Sequence, residues 1–318
     1  MRNLLLLACT LVVAAYLGSR WYLHDKVTRQ LDMLIAAAQP MVDIRYEGVS
    51  STLTGELGID DVTMQFSGYS DPVHIDSVRI VTPGYFHLLG LADRNGGGNR
   101  PDIPESLTVA VRGLEMPVRA DYFATLDALP AGQAEPGAAD PAAQCAGQRF
   151  THDILRDLGY ERLVIDASVG YRTGDGRLVI DVVNNVADMY DFALTLTFEG
   201  AAGAASLLPA VFQPRLVNGR AEYVDRSLEE RVMRLCTEEW QVAPEAVIAA
   251  RKDAFALAVS RMGIELDEYV MEPYVEFLRG KRRLVVTAQP IEPVNLKQVG
   301  LYKPSDVPAL LNLSAEAL

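Results

Sequence analysis

The chain has 318 residues, of which 49% are hydrophobic, and a formal net charge of −13. This length and apolar content are sufficient for a buried core in one or two domains. The acidic balance repels phosphate backbones and anionic lipid headgroups, so nucleic-acid binding is excluded as a main role.

The first 22 residues predict an export signal that is retained as a transmembrane anchor. Residues 3–19 carry no charge, and residues 4–17 are almost wholly apolar. A spanning helix needs about 20 apolar residues, so this segment is slightly short. Aromatic residues then follow at the position expected for a headgroup boundary. The predicted anchor residues are Leu4, Leu5, Leu6, Leu7, Leu11, Val12, Val13, Leu17, Trp21 and Tyr22.

Two alternatives to a retained anchor are a cleaved signal peptide and a lipoprotein signal. Val13-Ala14-Ala15 resembles a signal-peptidase site, and Cys9 follows a loose lipobox. Only five apolar residues precede Cys9, which disfavours lipidation. A helical apolar stripe continues to Pro40, which favours retention with a juxtamembrane helix over residues 23–40. This stripe consists of Leu23, Val27, Leu31, Leu34 and Ala38.

The orientation of the anchor rests on two opposing signals. Arg20, Lys26 and Arg29 follow the span, whereas only Arg2 precedes it, and the positive-inside rule would leave the C-terminal side in the cytoplasm. The signal-like start favours the opposite orientation. We therefore expect a single-pass inner-membrane protein with its C-terminal domain in the periplasm.

Residues 41–129 predict a β-rich region with repeated phase changes. The alternation of apolar residues shifts by one position at Asp60-Asp61, between Ile75 and Val78, and at Gly113. A one-residue shift turns the apolar face over unless a β-bulge absorbs it. The pattern indicates a bulged, strongly twisted antiparallel sheet.

Residues 130–148 are rich in Ala, Gly, Pro and Gln and predict a linker, followed by an α+β region over residues 149–318. This region begins with a short helix near residues 151–158. Strands follow, with one hairpin turn at Gly174-Asp175-Gly176 and another at Asn218-Gly219.

Three helices are then predicted from a change to helical periodicity. Ser227 and Glu230 form a capping box, so the first helix should start there and run to about Gln241. Pro244 opens the second helix, and a third contains Pro273. A strand over residues 284–288 and a last strand over residues 311–315 complete the chain. The fold class is therefore α+β, with a mostly antiparallel sheet.

Cys145 and Cys236 form a candidate disulfide, because an oxidising compartment favours pairing of the two cysteines outside the anchor. If formed, the bridge would stabilise the fold by about 2–4 kcal/mol. The alternative for Cys236 is a buried free thiol on an apolar helix stripe.

No constellation of catalytic or metal-ligating residues is evident, so we predict no cofactor. His74 and Asp76 share a strand face, but a surface polar pair is the commoner arrangement. No Gly-x-Ser-x-Gly motif occurs. The pairs of adjacent acidic residues are predicted to have structural or solubility roles: solubility for Glu229-Glu230 and Glu238-Glu239, and a bulge at Asp60-Asp61. Lys281-Arg282-Arg283 is predicted to complement a helix dipole rather than to bind an anion.

The first 66 residues resemble the opening of the YdgA-like and AsmA-like bacterial envelope proteins. The shared features are a short basic start, one span, a juxtamembrane helix and a segment of the form found over residues 46–59. The resemblance implies that this segment opens a periplasmic β-rich domain. In the AsmA-like proteins such domains build long apolar grooves linked to lipid transport.

These features together predict a membrane-anchored periplasmic protein without a catalytic role, which contacts lipid or partner proteins through its sheet. One alternative is a periplasmic hydrolase whose acidic catalytic residues converge only in the fold. Another is an assembly or sensor module that binds a partner through the helices over residues 228–278.

Overall fold

The computed structural model describes residues 2–52, 54–92, 103–119, 141–146, 151–200 and 214–318. A π-helical turn (Leu235–Glu239) continues one helix, and a 3₁₀ turn (Pro304–Asp306) precedes another. The described α-helices are α1 (Arg2–Ala38), α2 (Tyr85–Ala92), α3 (Pro141–Ala146), α4 (His152–Asp157), α5 (Leu228–Arg234), α6 (Pro244–Arg261), α7 (Glu268–Leu278), α8 (Leu296–Val299) and α9 (Val307–Leu311).

The described strands form one antiparallel sheet in the order β1-β3-β4-β5-β6-β7-β8-β9-β10-β12, with β2 paired to β3 and β11 to β9. The predicted α+β class is confirmed, and strands from both sides of the predicted linker lie in this one sheet because β5 pairs with β6. The strands are β1 (Val42–Arg45), β2 (Gly48–Ser51), β3 (Glu56–Phe66), β4 (Val73–Val81), β5 (Ser106–Pro117), β6 (Arg162–Gly174), β7 (Arg177–Val186), β8 (Tyr190–Glu199), β9 (Arg215–Asp225), β10 (Arg283–Ala288), β11 (Val294–Asn295) and β12 (Leu313–Ala317).

Each of three neighbouring strands, β3, β4 and β5, carries one extra residue, and the three extra residues lie side by side across the sheet. Asp61 in β3 has a φ of 53°, Asp76 lies opposite it in β4, and Gly113 in β5 has a φ of 61°. The register shifts where these three strands meet β6, between Val111 and Leu114 of β5. A separate shift lies between β8 and β9, at Thr197 and Phe198. The predicted irregularity at Gly113 is therefore confirmed, and the aligned insertions keep the apolar residues of β3, β4 and β5 on one face.

Three buried clusters lie on this apolar face. The largest packs α4, α5 and α6 against one end of the strands, with Leu155, Val232 and Val247 among its members. A second packs α9 against the other end of the strands, where Leu178 and Phe198 are buried. The third joins α1 and α2 to β3. The helices thus cover both ends and one side of the apolar face.

The C-terminal half of α1 forms the stem expected from its apolar stripe. Leu23 and Val27 are buried against Leu57, Tyr85 and Leu88. Among the residues whose side chains the structure describes, which begin in α1 at Gly18, no helix combines the length and the apolar character needed to span a membrane.

Helix α2 lies between β4 and β5, within the region predicted to be β-rich. One local prediction in the sheet was wrong. Asn218-Gly219 does not turn the chain but lies inside β9. A Cβ at Gly219 would approach the Leu196 side chain at 3.2 Å, so close packing explains the glycine.

The number of helices over residues 228–278 was predicted correctly, but some details of their ends were not. The first of the three helices starts at Leu228 as expected, yet Ser227 makes no capping hydrogen bond. Its hydroxyl instead lies 2.9 Å from the Tyr160 hydroxyl. At the end of the chain, the last strand is Leu313–Ala317 rather than residues 311–315, because Asn312 adopts a left-handed conformation that ends α9.

Candidate functional site

An apolar cleft of about 200 Å³ separates α1 from the sheet. An enclosed cavity of roughly 150 Å³ lined by Leu, Ile and Phe binds benzene, so the volume of this open cleft is large enough for a small apolar group. Leu34, on the wall formed by α1, is 67% exposed, so part of the apolar lining faces solvent. The lining consists of Val27, Gln30, Leu31, Leu34, Leu57, Ile59, Ile80 and Leu88.

A row of apolar residues crosses the sheet from this cleft. Each member is paired in register with the next, so their side chains share one face. At the middle of the sheet, Val169 is 52% exposed. The row, which runs between the two large buried clusters, is thus exposed at Val169 and half-buried at most of its other members. Its members, one per strand from β3 to β12, are Leu57, Ile80, Val109, Val169, Val182, Leu194, Ala221, Val286 and Ala315.

The opposite face of the sheet is polar and carries cross-strand ion pairs. Arg172 in β6 contacts Asp181 in β7 at 2.6 Å, and Arg283 in β10 contacts Glu222 in β9 at 2.8 Å. The guanidinium of Arg283 holds the pKa of the Glu222 carboxyl below its usual range. The two faces are thus chemically distinct, and only one of them suits an apolar ligand.

A largely buried ion pair joins α5 to α6, with both side chains less than one-fifth exposed. The Nη1 atom of Arg251 lies 2.5 Å from Oε2 of Glu229, and the Nη2 atom donates to Oε1 at 3.0 Å. The Arg251 side chain also interacts with the Tyr274 hydroxyl on α7. Glu229, assigned to solubility in the sequence analysis, is therefore a buried structural group, and that assignment was wrong.

Burial also perturbs Asp225, at the end of β9. Desolvation raises the pKa of its carboxyl, although Asp225 accepts a hydrogen bond of 2.9 Å from the backbone N–H of Glu229. Desolvation likewise raises the pKa of Glu229, against the opposing effect of Arg251. Asp225 thus supplies the cap at the start of α5 that the sequence assigned to Ser227.

A charged cleft of about 480 Å³ lies beside this pair, between α5 with its π-helical turn and the end of α7. The Glu229 side chain is 18% exposed, whereas that of Glu230 is 66% exposed and lies 3.5 Å from Arg282. Neighbouring residues of a helix point apart, which explains their unequal environments. Lys281 and Arg282 also line this cleft, whereas Arg283 belongs to β10.

The predicted cysteine pair is brought together. Cys145 in α3 and Cys236 in the π-helical turn form a disulfide in the structure, with their Cα atoms 5.9 Å apart. Both side chains are buried in the largest cluster. Residues 141–146, which were predicted to belong to a linker, thus form a helix that the disulfide connects to the domain.

The other predicted residues do not converge on a site. The anchor residues lie along α1, and the side chains of Trp21 and Tyr22 are exposed. Nε2 of His74 lies 3.3 Å from Asp76 and 3.4 Å from Asp61. Within the described ranges, no three His, Cys, Asp or Glu side chains are arranged to hold a metal ion.

Arg251 and Tyr274 were missed by the sequence analysis. A signal for Arg251 was available, because it falls between Val247 and Phe255 at four-residue spacing on the apolar side of α6. A charged residue at such a position predicts a buried partner. No local sequence pattern around Tyr274 identified it as a residue that contacts Arg251.

Comparison with known proteins gives little functional information. Residues 184–318 match a family model described only as an uncharacterized protein, which covers less than half of the chain. The matched segment contains the charged cleft and the Glu229–Arg251 pair, but neither α1 nor its apolar cleft. No curated protein matches the chain.

Proposed function

We propose that this protein is a membrane-anchored, periplasmic envelope protein without a catalytic role, whose sheet accepts an acyl chain of a membrane phospholipid. The anchor is the apolar segment at the start of α1. The acyl chain enters the cleft between α1 and β3 and lies along the apolar row.

The observation that carries this proposal is the continuity of the cleft with the row. Leu57 and Ile80 belong to both, so one apolar surface leads from α1 to the middle of the sheet. Contiguous exposed apolar surface can mark an interaction site. Each methylene group buried on such a surface contributes about 0.8 kcal/mol.

The position of the cleft also supports a membrane lipid as the ligand. The wall formed by α1 follows the predicted anchor along a single helix. At about 1.5 Å per residue, Val27 lies roughly 15 Å beyond Leu17. To reach the cleft, a lipid at the membrane surface would therefore have to move one acyl chain out of the bilayer. An apolar protein surface stabilises an acyl chain in that position.

The lipid contact can be tested by mass spectrometry of phospholipid that copurifies with the full-length chain. We expect Leu34→Asp and Val169→Asp to reduce the bound lipid several-fold, because both place a charge on the apolar surface. Met33→Asp and Ser168→Asp are matched controls. Met33 is exposed on α1 outside the cleft lining, and Ser168 precedes Val169 on the opposite face. Equal lipid content in all four variants would refute the contact.

The location is tested separately with reporter fusions at Leu318. Alkaline phosphatase should be active and a cytoplasmic reporter inactive, with the chain in the membrane fraction after alkaline extraction. The reverse pattern would support the positive-inside count instead. Release of the chain by extraction would contradict the anchor.

A hydrolase remains the second candidate, because one cleft contains carboxyl groups in unequal environments. Burial raises the pKa of Glu229, whereas Glu230 is exposed in the same cleft. A raised pKa suits a general acid. Loss of hydrolysis of an ester or glycoside substrate in Glu229→Gln and in Glu230→Gln, with the fold retained, would favour this candidate over the non-catalytic one.

A further inference from the structure

The charged cleft between α5 and the end of α7 contains cations that have no ion-pair partner. In the part of the chain that the structure describes, neither Arg234, Arg279 nor Lys281 forms an ion pair. Arg282 has only the 3.5 Å contact with Glu230, and both side chains are about two-thirds exposed, at 70% and 66%. An exposed pair of this kind contributes little and exchanges partners readily.

The carboxylates of the same cleft are mostly engaged. Asp225 accepts the N–H of Glu229, and Glu229 is bound to Arg251 on α6. Glu230 has its exposed contact with Arg282, which leaves Glu238 as the one cleft carboxylate in the described ranges with neither an ion pair nor a hydrogen bond to its side chain. Cations thus outnumber carboxylates among the uncommitted groups, although the whole chain has a net charge of −13.

Apolar side chains form the inner surface of this cleft. Phe277 and Leu278 are buried, and Met233 is half-buried beside them. The volume of about 480 Å³ falls within the roughly 300–1,000 Å³ typical of small-molecule sites. A cleft of this composition suits a ligand with an anionic group and a compact apolar part.

Two connections hold the walls of the cleft in place. The π-helical turn contributes Thr237 and Glu238, and the disulfide from Cys236 ties that turn to α3. The Glu229–Arg251 pair fixes α5 to α6. π-Helical turns occur frequently at functional sites, and fixed walls lower the entropic cost of binding.

We propose that this cleft binds a small organic anion. Its carboxylate or phosphate group lies between Arg279, Lys281 and Arg282, which supply charge-assisted hydrogen bonds. Its apolar part contacts Phe277 and Leu278. Binding displaces Glu230 from Arg282. This site is independent of the proposed lipid contact, because the two clefts share no lining residue.

The test is calorimetric titration of the purified full-length chain with three probes: hexanoate, inorganic phosphate and hexanol. We expect hexanoate or phosphate to bind, and hexanol to bind at least tenfold more weakly than the better anion. Tighter binding of hexanoate identifies an organic carboxylate as the ligand class, and tighter binding of phosphate identifies a phosphorylated one. Failure of both anions to bind, or equal binding of hexanol, would overturn the proposal.

The variant Arg279→Gln/Lys281→Gln should weaken anion binding at least tenfold. Lys303→Gln is the matched control, because Lys303 is exposed outside the cleft. Anion binding unchanged in the double variant would refute the site.

Salt provides a measurement that needs no variant. At an ionic strength of about 1 M the Debye length is about 3 Å, so anion binding should weaken while hexanol binding does not. The Leu34→Asp variant should bind the anions normally, which separates failure of this site from failure of the lipid proposal.

Discussion

The backbone N–H of Gly113 donates a hydrogen bond of 2.7 Å to Oδ1 of Asp166. This contact lies where the extra residue carried by β3, β4 and β5 meets the regular strand β6. The side chain of Asp166 thus satisfies a backbone donor that the register shift removes from the ladder. Gly113 is therefore a demanding position in the sheet.

Replacing Gly113 by alanine should destabilise the fold by about 2–5 kcal/mol. Gly113 has a φ of 61°, which costs a residue with a side chain roughly 1–2 kcal/mol. A Cβ there would also collide with the Asp76 carboxylate. Overpacking adds about 1–3 kcal/mol. Urea unfolding measures the change.

Gly174→Ala is the matched control for this prediction. No atom lies within 4 Å of a Cβ built at Gly174, and its φ is not in the left-handed region. We expect its free energy of unfolding to stay within about 0.5 kcal/mol of the wild type, as at most surface positions. An equal loss of unfolding free energy for the two substitutions would show that the bulge at Gly113 does not require a glycine.

Replacing Arg251 by methionine should lower the free energy of unfolding by about 3–5 kcal/mol, because it leaves the Glu229 carboxylate buried without its cation. The double variant Arg251→Met/Glu229→Leu should recover most of this loss. Chemical denaturation of the single and double variants gives the coupling energy.

Lys252→Met is the control for the buried pair. Lys252 contacts Glu268 at 2.7 Å, but the Glu268 side chain is 77% exposed. Exposed pairs contribute about 0–1 kcal/mol, so a small effect is expected. A loss as large as that of Arg251→Met would contradict the distinction between buried and exposed pairs.

The stability of the fold should depend on pH through Glu229. Burial raises its pKa above the unfolded value, so the folded state binds the proton more tightly. Its contribution is fully present below the unfolded pKa of about 4.3 and is lost as pH rises through the folded pKa. The difference in unfolding free energy between the wild type and Glu229→Gln should therefore fall with rising pH.

Glu222 should give the opposite pH dependence. Its hydrogen bonds to Arg283 and Arg220 lower its pKa, so its contribution is present above the unfolded value and is lost as pH falls through the folded pKa. Denaturation of Glu222→Gln across the same pH range provides this contrast. Parallel pH profiles for the two variants would refute the assigned pKa directions.

Reduction of the Cys145–Cys236 disulfide should lower the free energy of unfolding by about 2–5 kcal/mol, because the bridge closes a long loop in the unfolded chain. A non-reducing gel should show a mobility shift on reduction of the wild type. The Cys145→Ala variant should show neither the shift nor a response of its stability to reductant.

Local chemistry determined the parts of the fold that were predicted correctly. Alternating apolar residues specify strands, and the phase change at Gly113 specifies an irregularity, because strand periodicity is a property of neighbouring residues. The turn at Gly174-Asp175-Gly176 was predicted for the same reason and joins β6 to β7. The turn predicted at Asn218-Gly219 was wrong, because the same dipeptide also occurs inside a strand where close packing requires a glycine.

Only the tertiary structure decided which distant residues meet. Cys145 and Cys236 are separated by 91 positions, and no local pattern fixes the distance between their Cα atoms. Glu229 and Arg251 lie on different helices, so their burial depends on how α5 packs against α6. The apolar row was likewise hidden, because sheet order and register, rather than any one strand, align Ile80, Val109 and Val169. The sequence by itself thus determined the elements and their apolar faces, whereas the candidate sites arose from long-range packing.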